Sequence, residues 1–350
     1  ELAEVTGGQV GKRMSSQLGP LRFKDLEGGK KAREKHLRRI IGGLAEHISG
    51  TGKRFFLVGG SWRAIARVDM ERRGYPLHVL HEYRMDLAAT RDTLAFLETA
   101  DLEALRSACG ISSARMSLVP YAAEVLAELL DTFEPSEIAI SSYGIREGLL
   151  YEQMPQGLRD RDPLIEACRF AEAKDARLPG FGKKLYRFVL PLFPGASDAR
   201  LRIVRAACLL HDVSWRAHPD YRAETCFDNA TRANLGGLDH GERIYLGLAL
   251  LHRYRNKREG TRFEDFLDLL PLEDQQEAEM LGKAMRFGSM LWMSDAASEG
   301  ATLDWDPEAG LLRLHLTAEA APLYGEVAEA RFNALARAIG ADKTEVETED

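Results

Sequence analysis

A short apolar run that stops at two glycines and turns straight into a helical pattern constrains this chain more than any other feature. Phe55-Phe56-Leu57-Val58 is followed at once by Gly59-Gly60-Ser61-Trp62-Arg63. Four apolar residues closed by glycines predict a buried strand, because the run is too short for a helix and the glycines end it. The same design recurs at Glu137-Ile138-Ala139-Ile140-Ser141-Ser142, which stops at Gly144. Between and around the two runs lie helical patterns. One spans about 29–49, with Leu37, Ile40, Ile41, Leu44 and Ile48 on one face. Others fall near 92–99, 102–108 and 120–132. At the start, Glu1–Val5 reads as a strand leading into a hairpin turn at Thr6-Gly7-Gly8. Strands alternating with helices predict an α/β layer over the first 150 residues or so.

The pattern changes past the polar stretch Glu152–Pro163. From Leu164 onward it is mostly helical, and Ile244–Leu251 is apolar nearly all round, which predicts a central helix. Met280, Leu281, Ala284, Met285, Gly288 and Leu291 form another buried stripe. Thr302–Trp305 and Leu311–Leu316 read as paired strands, followed by a helix over about 318–339. Residues 342–350 read as an acidic, disordered tail.

Of 350 residues, 45% are apolar and 29% charged, the mix of an ordinary soluble protein. No apolar run has the length a bilayer crossing needs, and no basic-then-apolar leader opens the chain. Glu1 stands where Met is expected, which predicts a chain whose beginning lies further upstream. Cys109, Cys168, Cys208 and Cys226 lack Cys-x-x-Cys spacing, so neither a zinc clip nor a disulfide framework is expected, and a reducing cytoplasm fits. Charge is uneven. Between Lys12 and Arg73 there are 16 Lys or Arg against 6 Asp or Glu, in a chain of net charge −7. A basic segment in an acidic protein fits a polyanionic partner or a solvated helix face, and charge alone does not separate polyphosphate from nucleic acid.

Three segments have residue types suited to chemistry. At Gly59-Gly60-Ser61, a strand ending in glycines places backbone N–H groups beside a possible anion, with Ser61 as N-cap and Arg63 as a further donor; a plain helix entry uses the same residues. Ser141–Gly148 repeats the design, with Arg146 able to reach a phosphate or to remain a surface charge. His211-Asp212 closes a buried helix, in the manner of metal phosphohydrolases that pair an adjacent His and Asp with a further His upstream and an Asp downstream. Asp295 suits the latter, but Phe181 stands where the upstream His is expected, so a hydrogen-bonded core histidine is the favoured reading.

Taken together and in order, these segments resemble the exopolyphosphatase/guanosine pentaphosphate phosphohydrolase (Ppx/GppA) family. Glu1–Val5 with Ser15–Arg22 resembles the strand pair after the family's first phosphate loop. Val58–Ala64 is similar to its second glycine turn, and Gly144–Leu150 to its Arg-Glu-Gly segment. Leu209–Trp215 with His218–Arg222 is similar to the helical domain of the long exopolyphosphatase branch, and the Gly-Gly-Ser-Trp-Arg variant resembles alphaproteobacterial members.

The resemblance implies a fold of α/β plus all-α class: the second half of an actin-like core over 1–155, an HD-related helical domain over 156–298, a small α+β segment over 299–340 and the acidic tail over 341–350. It implies an enzyme hydrolysing terminal phosphoanhydride bonds of inorganic polyphosphate, guanosine pentaphosphate or both, with Mg²⁺, as a cytoplasmic homodimer without membrane or nucleic-acid partners. Family members begin with a further actin-like half, so this chain is expected to be inactive alone. Glu1 matches the acidic residue after the first phosphate loop, a position suited to holding Mg²⁺ or water. Gly59, Gly60, Ser61, Arg63 and Arg146 are the implied substrate contacts. Two other classes remain: an HD-type metal phosphohydrolase using His211, Asp212 and Asp295, and a non-catalytic polyanion- or RNA-binding regulator.

Overall fold

The computed structural model describes residues 1–19, 23–24, 26–50, 52–257, 260–292 and 300–349. Asp295 and Pro20–Arg22 lie outside them. The chain divides into two compact units, Glu1–Met154 and Pro155–Asp350.

The first unit opens with an antiparallel hairpin, β1 (Leu2–Thr6) and β2 (Gln9–Met14). Its two-residue loop works because Gly7 and Gly8 both take positive φ, at 56° and 76°. Helix α1 (Gly29–Ala45) follows and buries Leu37, Ile41 and Leu44. Next come β3 (Arg54–Val58), α2 (Gly60–Arg72), β4 (Arg84–Met85) and α3 (Leu87–Thr99). Then follow α4 (Leu102–Ala108), α5 (Ser113–Met116), α6 (Val119–Phe133), β5 (Glu137–Ser141) and α7 (Ile145–Gln153). The two apolar runs pair in parallel, Arg54↔Glu137 through Val58↔Ser141, and β4 adds antiparallel to the other side of β5. Leu57, Ile138 and Ile140 meet the buried faces of α2 and α6 in one apolar core. Leu37, Ile41, Leu44, Leu129 and Phe133 form a second.

One polar cluster is buried within that first core. Asp69 of α2 is 0% exposed and accepts hydrogen bonds from the Tyr83 hydroxyl at 2.5 Å and from the Thr93 hydroxyl. Arg72 and Arg73 sit 3.7 and 3.6 Å from the same carboxylate. Burial, then the bond to Asp69, pushes the Tyr83 hydroxyl far above its ordinary pKa, so it remains a donor. The cluster ties α2 to Tyr83, just before β4, and to α3.

The second unit is mainly helical: α8 (Gln156–Arg159), α9 (Pro163–Asp175), α10 (Phe181–Val189), α11 (Asp198–Leu210), α12 (Pro219–Arg232), α13 (His240–His252) and α14 (Leu272–Gly288). As its uniform apolarity predicts, α13 is buried along nearly its whole length. Arg243 survives burial there because it donates to the main-chain oxygens of Ala233 at 2.9 Å and Leu235 at 2.8 Å, carbonyls just beyond the end of α12. Strands β6 (Ala301–Asp306) and β7 (Leu311–Leu316) are antiparallel, and α15 (Glu326–Ile339) follows.

The expected disordered tail is corrected. Lys343–Thr348 forms strand β8, parallel to β7 from Leu311↔Lys343 to Leu316↔Thr348. Its side chains are all exposed, so the backbone ladder holds it, helped by Arg313–Glu345 and His315–Glu347 contacts of 2.9 Å each. Mixed α/β structure followed by helical structure agrees with the expected fold class. Among the described residues, no helix is long and apolar enough to cross a membrane.

Candidate functional site

Parallel pairing puts the C-terminal ends of β3 and β5 side by side, and each runs into a glycine and then a helix. Ligands of open α/β sheets bind at such strand ends, where loops and helix N-termini converge. The two motifs separated by some eighty residues therefore form one place.

Arg63 joins them. Its Nε donates to the main-chain oxygen of Ser141 at 2.9 Å, and one Nη to that of Tyr143 at 3.1 Å. The guanidinium is thus partly spent on bracing the β5–α7 turn. The cavity beside it has a volume of about 410 Å³. Gly60, Arg63, Arg67, Ser112, Arg115 and Ser142 line it together with apolar residues, and among the described residues no carboxylate does. Arg67 also donates to the Cys109 carbonyl at 3.4 Å. Gly60 begins α2, so the first amides of this 13-residue helix, which have no partner within it, add positive potential at this end.

The two glycines have different reasons to be glycine. Gly59 has φ +145° and ψ 162°, a conformation side chains rarely adopt. A Cβ there would also come within 3.2 Å of Trp62 Cδ1. Gly59→Ala is expected to cost about 1–3 kcal/mol of stability, read from the denaturant midpoint; a variant as stable as the parent would contradict this. At Gly60 the need is for space. A Cβ would fall 2.2 Å from one Nη of Arg115 and 2.5 Å from its Cζ. The missing side chain is what lets Arg115 lie across the helix start.

The site residues expected from sequence separate into three groups. Gly60 and Arg63 line the cavity. Gly59, and not Ser61, is the N-cap residue of α2, and Ser61 makes no capping bond; it is already inside the helix. Arg146 is exposed and outside the cavity wall, while its neighbour Glu147 accepts from the Gly144 amide at 2.7 Å. That bond and its own backbone N–H hold the Glu147 carboxyl below its ordinary pKa. Glu1 is exposed at the start of β1 and is likewise outside the cavity wall. Arg67, Ser112 and Arg115 were not legible. Arg67 falls one helical turn beyond Arg63, which was a usable signal, but nothing local connects Ser112 and Arg115 with Gly60.

His211-Asp212 has no metal-like geometry. His211 Nδ1 is 2.9 Å from the Cys208 carbonyl, and the Phe181 ring packs at 5.3 Å. Both oxygens of Asp212 are bound by Arg177, at 2.9 and 2.5 Å. Burial opposes the Asp212 charge, but Arg177 and His211 outweigh it and its pKa lies below the ordinary value. Among the described residues no group of three or more His, Cys, Asp or Glu could hold a metal ion. These residues therefore do not by themselves fit a protein-held Mg²⁺.

Comparison with known proteins adds two partial family matches. Residues 1–157 match the Ppx/GppA phosphatase family, and residues 186–346 match the exopolyphosphatase C-terminal domain. No curated protein matches the sequence. Among solved structures, the type II variant of the Aquifex aeolicus Ppx/GppA phosphatase is similar at 15% identity and a TM-score of 0.37, over 44% of this chain and 53% of that one. A second Aquifex aeolicus family member is similar at 13% identity and the same TM-score, over 46% of this chain and 53% of its own. The chain thus spans about half the length of the solved structures it matches. The two matched segments together run along most of the chain, each similar to its own family model.

Proposed function

We propose that the chain is part of an exopolyphosphatase of the long branch, which hydrolyses terminal phosphoanhydride bonds of inorganic polyphosphate and also accepts guanosine pentaphosphate. The observation that carries this reading is the cavity at the paired strand ends, whose wall, among the described residues, holds three arginines and no carboxylate. Guanidinium forks match phosphate oxygens two at a time, and amides at a helix start suit the same anion. Among the described residues the Arg115 side chain has no ion pair or hydrogen bond, so its fork is available to a ligand. In this proposal Arg115 and Arg67 grip the phosphate chain, while Arg63 holds both turns in register.

Hydrolysis of a terminal phosphoanhydride needs a positioned water, and positioning with charge stabilisation supplies most of the rate. Glu1 is the proposed carboxylate contributed by this chain, and the family's further actin-like half is proposed to supply the rest. Mg²⁺ would supply charge neutralisation of the phosphate oxygens; no described residue set in this chain holds it alone. A homodimer in the cytoplasm completes the proposal.

Calorimetric titration of the chain with tripolyphosphate tests it. Losing a charge-assisted contact costs about 1.5–3 kcal/mol, so Arg115→Gln should weaken binding about 10- to 100-fold. Gly60→Ala should weaken it in the same direction with little change in melting temperature, because the displaced atoms are the mobile end of Arg115. Unchanged affinity in both variants would show that the cavity is not the binding site. Phosphate release from long-chain polyphosphate, with Mg²⁺ and the separately expressed first half, then separates enzyme from regulator: binding without any release would favour the regulator.

A further inference from the structure

The geometry points to a second ligand site in the first unit: a pocket between α1 and the stretch that precedes it, which takes a small carboxylate with a hydrocarbon body. The pocket has a volume of about 450 Å³, within the range of roughly 300–1,000 Å³ usual for small-molecule sites. It shares no lining residue with the cavity at the paired strand ends.

One part of its wall is apolar and fixed. His36, Arg39 and Ile40 are three and four residues apart, so they share one side of α1 and line the pocket together. Ile40 and Leu18 pack against the second apolar core, and Phe23 belongs to that core at 3% exposed. The Phe23 ring meets Tyr121 of α6 edge to face at 6.3 Å, which anchors it from the helix side. Leu18 and Phe23 line the pocket with Ile40, so apolar surface continuous with the core is open to a ligand there.

The rest of the wall is cationic. Charges on α1 meet different surroundings on its different sides. Lys30, Arg33 and Arg38 reach Glu98 of α3 and Glu124 and Glu128 of α6, at 3.1, 2.6 and 3.7 Å. Arg39 and His36 face the pocket instead, and among the described residues neither side chain makes an ion pair or hydrogen bond. No carboxylate lines the pocket among the described residues. A ligand carboxylate supplies that missing anion, since its two oxygens match the Arg39 fork and His36 offers an N–H in either tautomer. The hydrocarbon body then covers Leu18, Phe23 and Ile40, and each methylene taken out of water adds to binding. An inorganic phosphate would leave that apolar wall uncovered and would lose water against it, so this pocket and the arginine-lined cavity select different anions.

Calorimetric titration of the full chain with sodium octanoate tests the inference, with hexanoate, acetate and octanol as comparisons. Saturable binding of octanoate is expected, and hexanoate should be weaker by about fourfold for each methylene removed. Acetate, which lacks the hydrocarbon, and octanol, which lacks the charge, should each bind at least about tenfold more weakly than octanoate. Arg39→Gln should weaken octanoate about tenfold, and Arg39→Lys should lose less, since a point charge replaces the fork. Arg39 is exposed, so both variants should melt with the parent, which separates a lost contact from a lost fold. Three results would overturn the inference: no saturable binding of octanoate, octanol bound as tightly as octanoate, or octanoate affinity unchanged in Arg39→Gln.

Discussion

Asp69→Ala is expected to lower the stability of the first unit by about 3–5 kcal/mol, the cost of breaking a buried charged network by removing one partner. The carboxylate is fully buried and serves two hydroxyls and two guanidiniums. Its loss leaves the Tyr83 and Thr93 hydroxyls unpaired in an apolar core, and an unpaired buried group costs about 1–3 kcal/mol. Tyr83 is joined to the sheet through its carbonyl, which accepts from the Ile140 amide at 3.0 Å, and Leu80, three residues earlier, lines the cavity. Tripolyphosphate affinity should therefore fall along with stability. Asp69→Asn, which keeps acceptor and shape but not charge, should lose less. Urea denaturation followed by circular dichroism measures all three proteins. A change below about 1 kcal/mol in Asp69→Ala would mean that the network does not hold α2, β4 and α3 together.

Acidification is expected to weaken the second unit through His211. Burial first, then the Arg253 guanidinium, lowers its pKa from 6.5 to about 4, while Asp212 pulls the other way and Arg177 adds to the lowering. The unfolded chain thus binds a proton near pH 6.5 that the folded chain refuses until about pH 4. Above pH 6.5 both states carry a neutral imidazole and the contribution is fully present. As pH falls toward 4 the unfolded state gains, by up to about 3 kcal/mol at about 1.4 kcal/mol per unit. Asp212, held low by Arg177, adds its own loss only further down, below the ordinary carboxylate value of 3.8. His211→Gln should flatten the decline between pH 6.5 and 4 in a series of urea midpoints. A decline of the same size in that variant would place the proton elsewhere.

Much of the fold was legible because its signals are local. Phe55–Val58 and Glu137–Ser141 announce strands by composition, and Gly59-Gly60 and Gly144 announce the turns that end them. Ile244–Leu251 announces a central helix because a helix without a polar face has nowhere else to go. Strand β8 was not legible, since Lys343–Thr348 is polar and its order comes from a ladder with Leu311–Leu316, some thirty residues away. The capping role of Ser61 failed by two residues: Gly59 reaches a backbone conformation open to glycine and takes the position first.

The candidate site divides along the same line. Sequence alone determined that two strand–glycine–helix turns exist, that arginines follow them, and that the order of motifs resembles one phosphatase family. Periodicity, glycine and short motifs act over one or two turns of chain, so a reader of residues can see them. Only the tertiary structure decided that the turns are neighbours, that Arg63 braces one against the other, and that Arg115 lies over Gly60. Only it showed Asp212 bound by Arg177. Those are contacts between residues far apart in the chain, and they follow from packing, which no local pattern records.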